Sequence, residues 1–156
     1  MTTENKIAGV VITPLTRHSD PRGWLSEAWR EDDFYIGLGM FSFNPVMAYI
    51  SLTRPGVIRG PHEHREQSDF FVFLCGQFKL RLWDNRSSRE EIVLEVGEAN
   101  PVSVLVPPGV VHAYQNVGLW NAVVLNFPNR LYAGWGRAEA VDEIRYEDDA
   151  RSRFKL

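Results

Sequence analysis

Three of the chain's four histidines fall in two spaced patterns that could hold a reacting group. In the first, His62 and His64 follow Gly56, Asp69 comes five residues after His64, and Gly76 closes the stretch. Side chains two apart on a strand point to one face, so His62 and His64 can converge on a single ligand. Asp69 then opens the neighbouring strand, and Gly76 turns the chain after it. In the second pattern, Pro107-Pro108-Gly109-Val110-Val111-His112 closes with Asn116, and a rigid turn delivers His112 to the start of another strand. A closed barrel would bring these three imidazoles and one carboxylate together. Such a group suits a divalent transition metal, or it works metal-free as base, acid and hydrogen-bond donor. His18 stands alone in a polar loop and reads as a surface residue.

The elements that must position these groups are short strands. Ile7–Thr13, Trp24–Trp29, Val46–Thr53, Phe70–Cys75, Phe78–Trp83, Glu91–Val96, Ser103–Val106 and Ala122–Phe127 are rich in β-branched or aromatic residues. Turn formers such as Pro21-Arg22-Gly23, Pro55-Gly56, Gly76, Asp84-Asn85 and Gly118 separate them. Phe78, Leu80 and Leu82 alternate with Lys79, Arg81 and Trp83, the pattern of a strand with one buried face. Many short strands with regular turns predict an all-β sandwich or barrel. A short helix is expected around Ala138–Ile144, and a turn at Arg30–Phe34. The stretch from Tyr146 to Leu156 reads as a polar, solvated tail.

At 156 residues the chain fits one domain, 1–156, with enough length for a sizeable core. A net charge of −3 offers no basic footprint for nucleic acid, and no apolar run is long enough to span a membrane. The single cysteine, Cys75, excludes an intrachain disulfide and suits a reducing cytoplasm. It lies in an apolar run and is expected to be a buried packing thiol.

The two histidine patterns resemble the paired motifs of the cupin superfamily, matching every position but one, where Asp69 replaces a glutamate. The resemblance implies a double-stranded β-helix, a jelly-roll barrel, and carries metal ligation over to His62, His64, Asp69 and His112. Asp20-Pro21-Arg22-Gly23 with Glu27, Gly56-Val57-Ile58-Arg59-Gly60-Pro61-His62 and Pro107-Pro108-Gly109-Val110-Val111-His112 are similar to one cupin branch, the dTDP-4-dehydrorhamnose 3,5-epimerases.

That likeness implies an isomerase acting on a nucleotide-linked 4-keto-deoxysugar in polysaccharide or deoxysugar synthesis. It makes His62 the base that removes a proton next to the C4 ketone. Arg22, Glu27 and Arg59 become substrate-binding residues, and Arg59, His112 or a bound metal stabilises the enolate. Two family groups are replaced: a lysine shortly after the base gives way to Asp69, and the proton-donating tyrosine has Asn126 as its nearest match. A late aspartate that orients the histidine falls past the chain's end or is replaced.

The His62-x-His64 pair also resembles the sugar-nucleotide 3,4-ketoisomerases, which implies a catalytic role for His62, His64 and Tyr49. Tyr114, Trp120, Tyr132 and Trp135 are candidates for stacking on a base. The alternatives are a metal-dependent oxygenase or isomerase and a noncatalytic sugar-binding cupin. The branch implies a homodimer, with N-terminal strands exchanged.

Overall fold

The computed structural model describes residues 6–32 and 43–156. Among them run β1 (Val11–Pro14), β2 (His18–Asp20), β3 (Gly23–Leu25), β4 (Tyr49–Thr53), β5 (Ile58–Glu63) and β6 (Asp69–Phe73). There follow β7 (Gln77–Asp84), β8 (Glu91–Gly97), β9 (Val102–Val106), β10 (Val110–Asn116), β11 (Ala122–Asn126) and β12 (Ile144–Arg145). Two five-stranded antiparallel sheets form, in the orders β1-β9-β6-β11-β4 and β12-β5-β10-β7-β8, and β2 pairs with β3 as a separate hairpin. This is the jelly-roll arrangement expected.

The alternation in β7 buries Phe78, Leu80 and Leu82, which meet Phe71, Phe73, Val104 and Val124 of the other sheet. Each such side chain contributes roughly 1.5–3 kcal/mol when fully buried, so this layer holds the sheets face to face. The Tyr114 ring stands edge-on to Phe73 and Phe78, with centroids 5.6 Å away in each case. Among the described residues no helix is long and apolar enough to cross a membrane.

Several local expectations change. The first strand begins at Val11 rather than Ile7, because Gly9 turns the chain at a φ of 79°. The strand expected at Trp24–Trp29 shrinks to Gly23–Leu25. No helix forms at Ala138–Ile144. Positive φ values at Ala133, Gly134, Gly136 and Arg137 break the backbone just before this stretch, where a 3-10 turn forms at Trp135–Arg137, and Ile144 opens β12.

Cys75 is exposed, because it lies past the buried run of β6, beside Gly76. The tail is not solvated throughout: Phe154 is 4% exposed and packs on Trp83, Val111 and Ala113. His18 is exposed, as expected. The turn expected at Arg30–Phe34 runs beyond the described residues.

Candidate functional site

β5 and β10 are antiparallel neighbours, and His62 lies directly opposite His112. The register shifts between His112 and Tyr114, so the strands bulge beside the pair. Gly60 sits in that bulge at a φ of 81°, and a Cβ there would fall 2.5 Å from the His112 carbonyl oxygen. The glycine before His62 therefore lets β5 close on β10. The His62 and His112 rings stand edge to face at 4.4 Å, and His64 lies 5.9 Å from each. Asp69 opens β6 on the opposite sheet. Its Oδ2 lies 3.1 Å from His64 Nε2 and 3.5 Å from His112 Nε2.

The Nδ1 atom of each histidine faces an oxygen. His64 Nδ1 donates to the Asp142 carbonyl, His112 Nδ1 donates to the Val110 carbonyl at 3.2 Å, and His62 Nδ1 lies 3.9 Å from Glu143 Oε1. The Asp142 carboxylate accepts from the backbone N–H groups of Arg65, Glu66 and Gln67 at 2.9–3.0 Å. One dipeptide, Asp142-Glu143, thus serves His62 of β5 and His64 just past its end, and fixes the loop that follows. β12 carries it there, pairing Ile144 with Glu63 and Arg145 with His62. Tyr146 anchors this segment by donating to Glu63 Oε1 at 2.6 Å.

These surroundings separate the charge states. Burial, then the neighbouring His112 and His64, push His62 down to about 2, so it stands neutral. Burial lowers His112 as well. For His64 burial acts in the same sense, but the Asp69 hydrogen bond and charge and the Asp142 carbonyl outweigh it, and the net shift is upward. Burial opposes the charge on Asp69, yet His64 and His112 hold it at about 2. The group rests as a neutral His62 beside an Asp69 carboxylate and a His64 biased toward imidazolium.

Asn126 is buried and bridges two site residues. Its Nδ2 donates to Asp69 Oδ1 at 2.8 Å and to Tyr49 OH at 2.7 Å. Gln67 Nε2 also donates to Asp69 Oδ1, at 2.9 Å. Since Tyr49 accepts from Asn126, its own hydroxyl proton remains available to a ligand. Burial and the Asp69 charge raise the phenol above its usual range, so it keeps that proton. A cavity of about 210 Å³ opens here, lined among others by Tyr49, His64, Gln67, Tyr132, Asp142 and Glu143.

His62, His64, Asp69, His112, Tyr49 and Asn126 are thus gathered in one place. Arg22 and Glu27 are not. Arg22 pairs with Asp20 at 2.6 Å in the β2–β3 turn, and Glu27 pairs with Arg30 at 3.1 Å, all of them exposed. Arg59 is tied to β4, donating to Thr53 Oγ1 at 2.9 Å and to the Leu52 carbonyl at 2.8 Å. Tyr114 is a core residue bonded to Ser51 rather than a stacking platform, whereas Trp120 and Trp135 are exposed. The sequence reading missed Gln67, Asp142 and Glu143. The late aspartate was expected past the chain's end or replaced; Glu143 is a late carboxylate that lies beside His62.

The residues fit a divalent metal in their donor set. The donor nitrogens of His62, His64 and His112 lie within 4.8 Å of one another. Asp69 lies outside that group of three, its Oδ2 paired with His64 Nε2 at 3.1 Å. His112 Nε2 is buried without a hydrogen-bond partner.

The sequence profile described as dTDP-4-dehydrorhamnose 3,5-epimerase matches residues 4–148. The spore coat polysaccharide biosynthesis protein SpsL of Bacillus subtilis (strain 168) is 32% identical over 131 residues, 81% of this chain and 82% of that protein. The probable low-salt glycan biosynthesis epimerase Agl13 of Haloferax volcanii is 30% identical over 131 residues, 81% of each chain. The dTDP-4-dehydrorhamnose 3,5-epimerase of Sulfolobus tokodaii superposes with a TM-score of 0.74 at 25% identity, over 92% of this chain and 81% of that one. The chain belongs to the dTDP-4-dehydrorhamnose 3,5-epimerase family.

Proposed function

We propose that this protein epimerises a nucleotide-linked 4-keto-deoxysugar by removing a proton next to the ketone, for polysaccharide or deoxysugar synthesis. The observation that carries the reading is a neutral His62 backed by the Glu143 carboxylate at 3.9 Å. His62 takes the proton, and the carboxylate favours the imidazolium that results. Charge on the enolate oxygen is offset by the cationic bias of His64, which lines the cavity. Tyr49 returns a proton on the opposite face, taking the part of the tyrosine that Asn126 replaces. A cavity of about 210 Å³ is smaller than a typical ligand pocket of roughly 300–1,000 Å³. It suits a sugar ring with the nucleotide left on the rim. Solvent deuterium entering the sugar tests the reading.

A second copy of the chain supplies what one copy lacks. Ile50 and Leu52 on the edge strand β4 are 70% and 51% exposed, and Leu25 beside Arg22 is 64% exposed. Pairing through exchanged N-terminal strands covers these apolar surfaces and the open strand edge. It also brings Arg22 and Glu27 of the partner to the sugar nucleotide, where a guanidinium fork suits a diphosphate. The lone cysteine favours a cytoplasmic setting.

A metal-assisted reading is favoured by one observation, the unpartnered His112 Nε2 beside Asp69. His62, His64, Asp69 and His112 would hold the ion, and a bound ion would polarise the ketone as a Lewis acid. The Nδ1 contacts to Asp142, Val110 and Glu143 then orient the ligands.

A further inference from the structure

We propose that the outer face of the barrel carries a separate anion site for a phosphate group, built from Arg86, Arg89 and Arg153 with Asn85 and Ser87. These five residues line a cavity of about 440 Å³ and share none of the lining of the sugar cavity. Four come from the turn between β7 and β8, and Arg153 arrives from the C-terminal segment that Phe154 pins to Trp83. Three arginines therefore line one cavity because two distant parts of the chain are packed together.

Among the described residues only Arg86 is balanced by a carboxylate, and its Nη2 also donates to the Ala8 carbonyl at 2.8 Å. Asp84 is the only carboxylate paired with any of the three among the described residues, through Arg86 Nε at 2.8 Å. Its oxygens also accept from the Arg86 backbone N–H at 3.0 Å and the Ser88 hydroxyl at 2.7 Å, so it is fully engaged. Arg153 is held by neutral partners: it donates to Asn85 Oδ1 at 3.2 Å and lies 4.5 Å over the Phe154 ring. Arg89 has no carboxylate in ion-pair range among the described residues, and it is exposed. Its backbone holds a φ of 57°, uncommon outside glycine.

Like charges brought together repel, and an anion among them reverses the sign of that interaction. Planar guanidinium forks suit tetrahedral phosphate oxygens, and the Ser87 hydroxyl adds a donor. The site is also wired to the histidines. Asn85, which holds Arg153, donates through Nδ2 to Glu63 Oε1 at 2.9 Å, and Glu63 lies between His62 and His64.

The test is calorimetric titration of the full chain with inorganic phosphate and with glucose 1-phosphate, at ionic strength fixed by potassium chloride. The wild type is expected to bind at least one of them saturably, and the tighter one identifies the source of the phosphate group. Arg89→Ala with Arg153→Ala is expected to weaken binding at least tenfold. Should the pair fail to fold, Arg89→Ala alone carries the comparison, since Arg89 is exposed and forms no ion pair among the described residues. Binding that survives in the arginine variants, or that disappears in Arg59→Ala instead, would overturn the proposal. So would the absence of saturable binding of either compound.

Discussion

Glu143 Oε1 stands 3.9 Å behind His62 Nδ1, although His62 lies in β5 and Glu143 comes just before β12, the last strand. The contact gives a neutral imidazole a carboxylate partner on the side away from its lone pair. Replacing Glu143 by glutamine keeps the shape and removes the charge. Exchange of the substrate proton is expected to slow by roughly 10–100-fold with little change in KM, the usual scale for a group that orients another. An unchanged kcat would show that Glu143 takes no part.

Tyr49 and His62 are assigned to opposite proton transfers, so their variants should separate. Tyr49→Phe is expected to keep solvent exchange and to lose inversion by on the order of 10²–10³-fold. Chiral analysis of the product alongside the deuterium count distinguishes the two. Exchange and inversion lost in parallel would place Tyr49 in binding instead.

How much of this was legible beforehand depended on distance along the chain. The period-two alternation of Phe78, Leu80 and Leu82 revealed a buried strand face, because both are local properties of β7. His62, His64 and His112 were visible because strand spacing and a Pro-Gly turn leave a mark in sequence. Asp142 and Glu143 carry no such mark: their role exists only because β12 docks on β5. The same docking explains the failed helix at Ala138–Ile144, where the Asp142 carboxylate is drawn to the backbone N–H groups of Arg65, Glu66 and Gln67. Phe154 was hidden for a similar reason, as an apolar residue in a charged tail whose pocket is made by Trp83 and Val111. Asn126 was matched to a missing tyrosine, but its bond to Tyr49 required the fold.

Stability of the metal-free protein should fall in acid. The folded state holds His62 near 2, whereas the unfolded chain takes up that proton near its ordinary value of about 6.5. Below pH ~6.5 the unfolded state therefore binds more protons, and each such histidine costs up to about 1.4 kcal/mol per pH unit. His112 is lowered and acts in the same direction. Asp69 adds its own loss as pH falls from 3.8 through about 2. His64 is raised, so its contribution is complete below 6.5 and is lost only as pH rises through its folded value. Urea midpoints should drop between pH 6.5 and 5, and His62→Gln should reduce that slope. A flat profile would contradict the neutral assignment.

The metal-assisted reading stands or falls on elemental analysis of gently purified protein, with His64→Ala as the control. A stoichiometric transition metal that the variant loses is its expected outcome. Protein without metal, whose melting temperature ignores added zinc, iron, manganese and nickel, would contradict it and leave the histidines to acid–base work.

The most direct test of the account is solvent exchange into dTDP-4-keto-6-deoxyglucose, followed in D2O by mass spectrometry and NMR. The wild type should place deuterium on a carbon next to the C4 ketone, and His62→Ala should slow this by about 10²–10⁴-fold. Failure of the wild type to label this substrate or any related 4-keto-deoxysugar nucleotide, or equal labelling by His62→Ala, would contradict the assignment of His62 as the base.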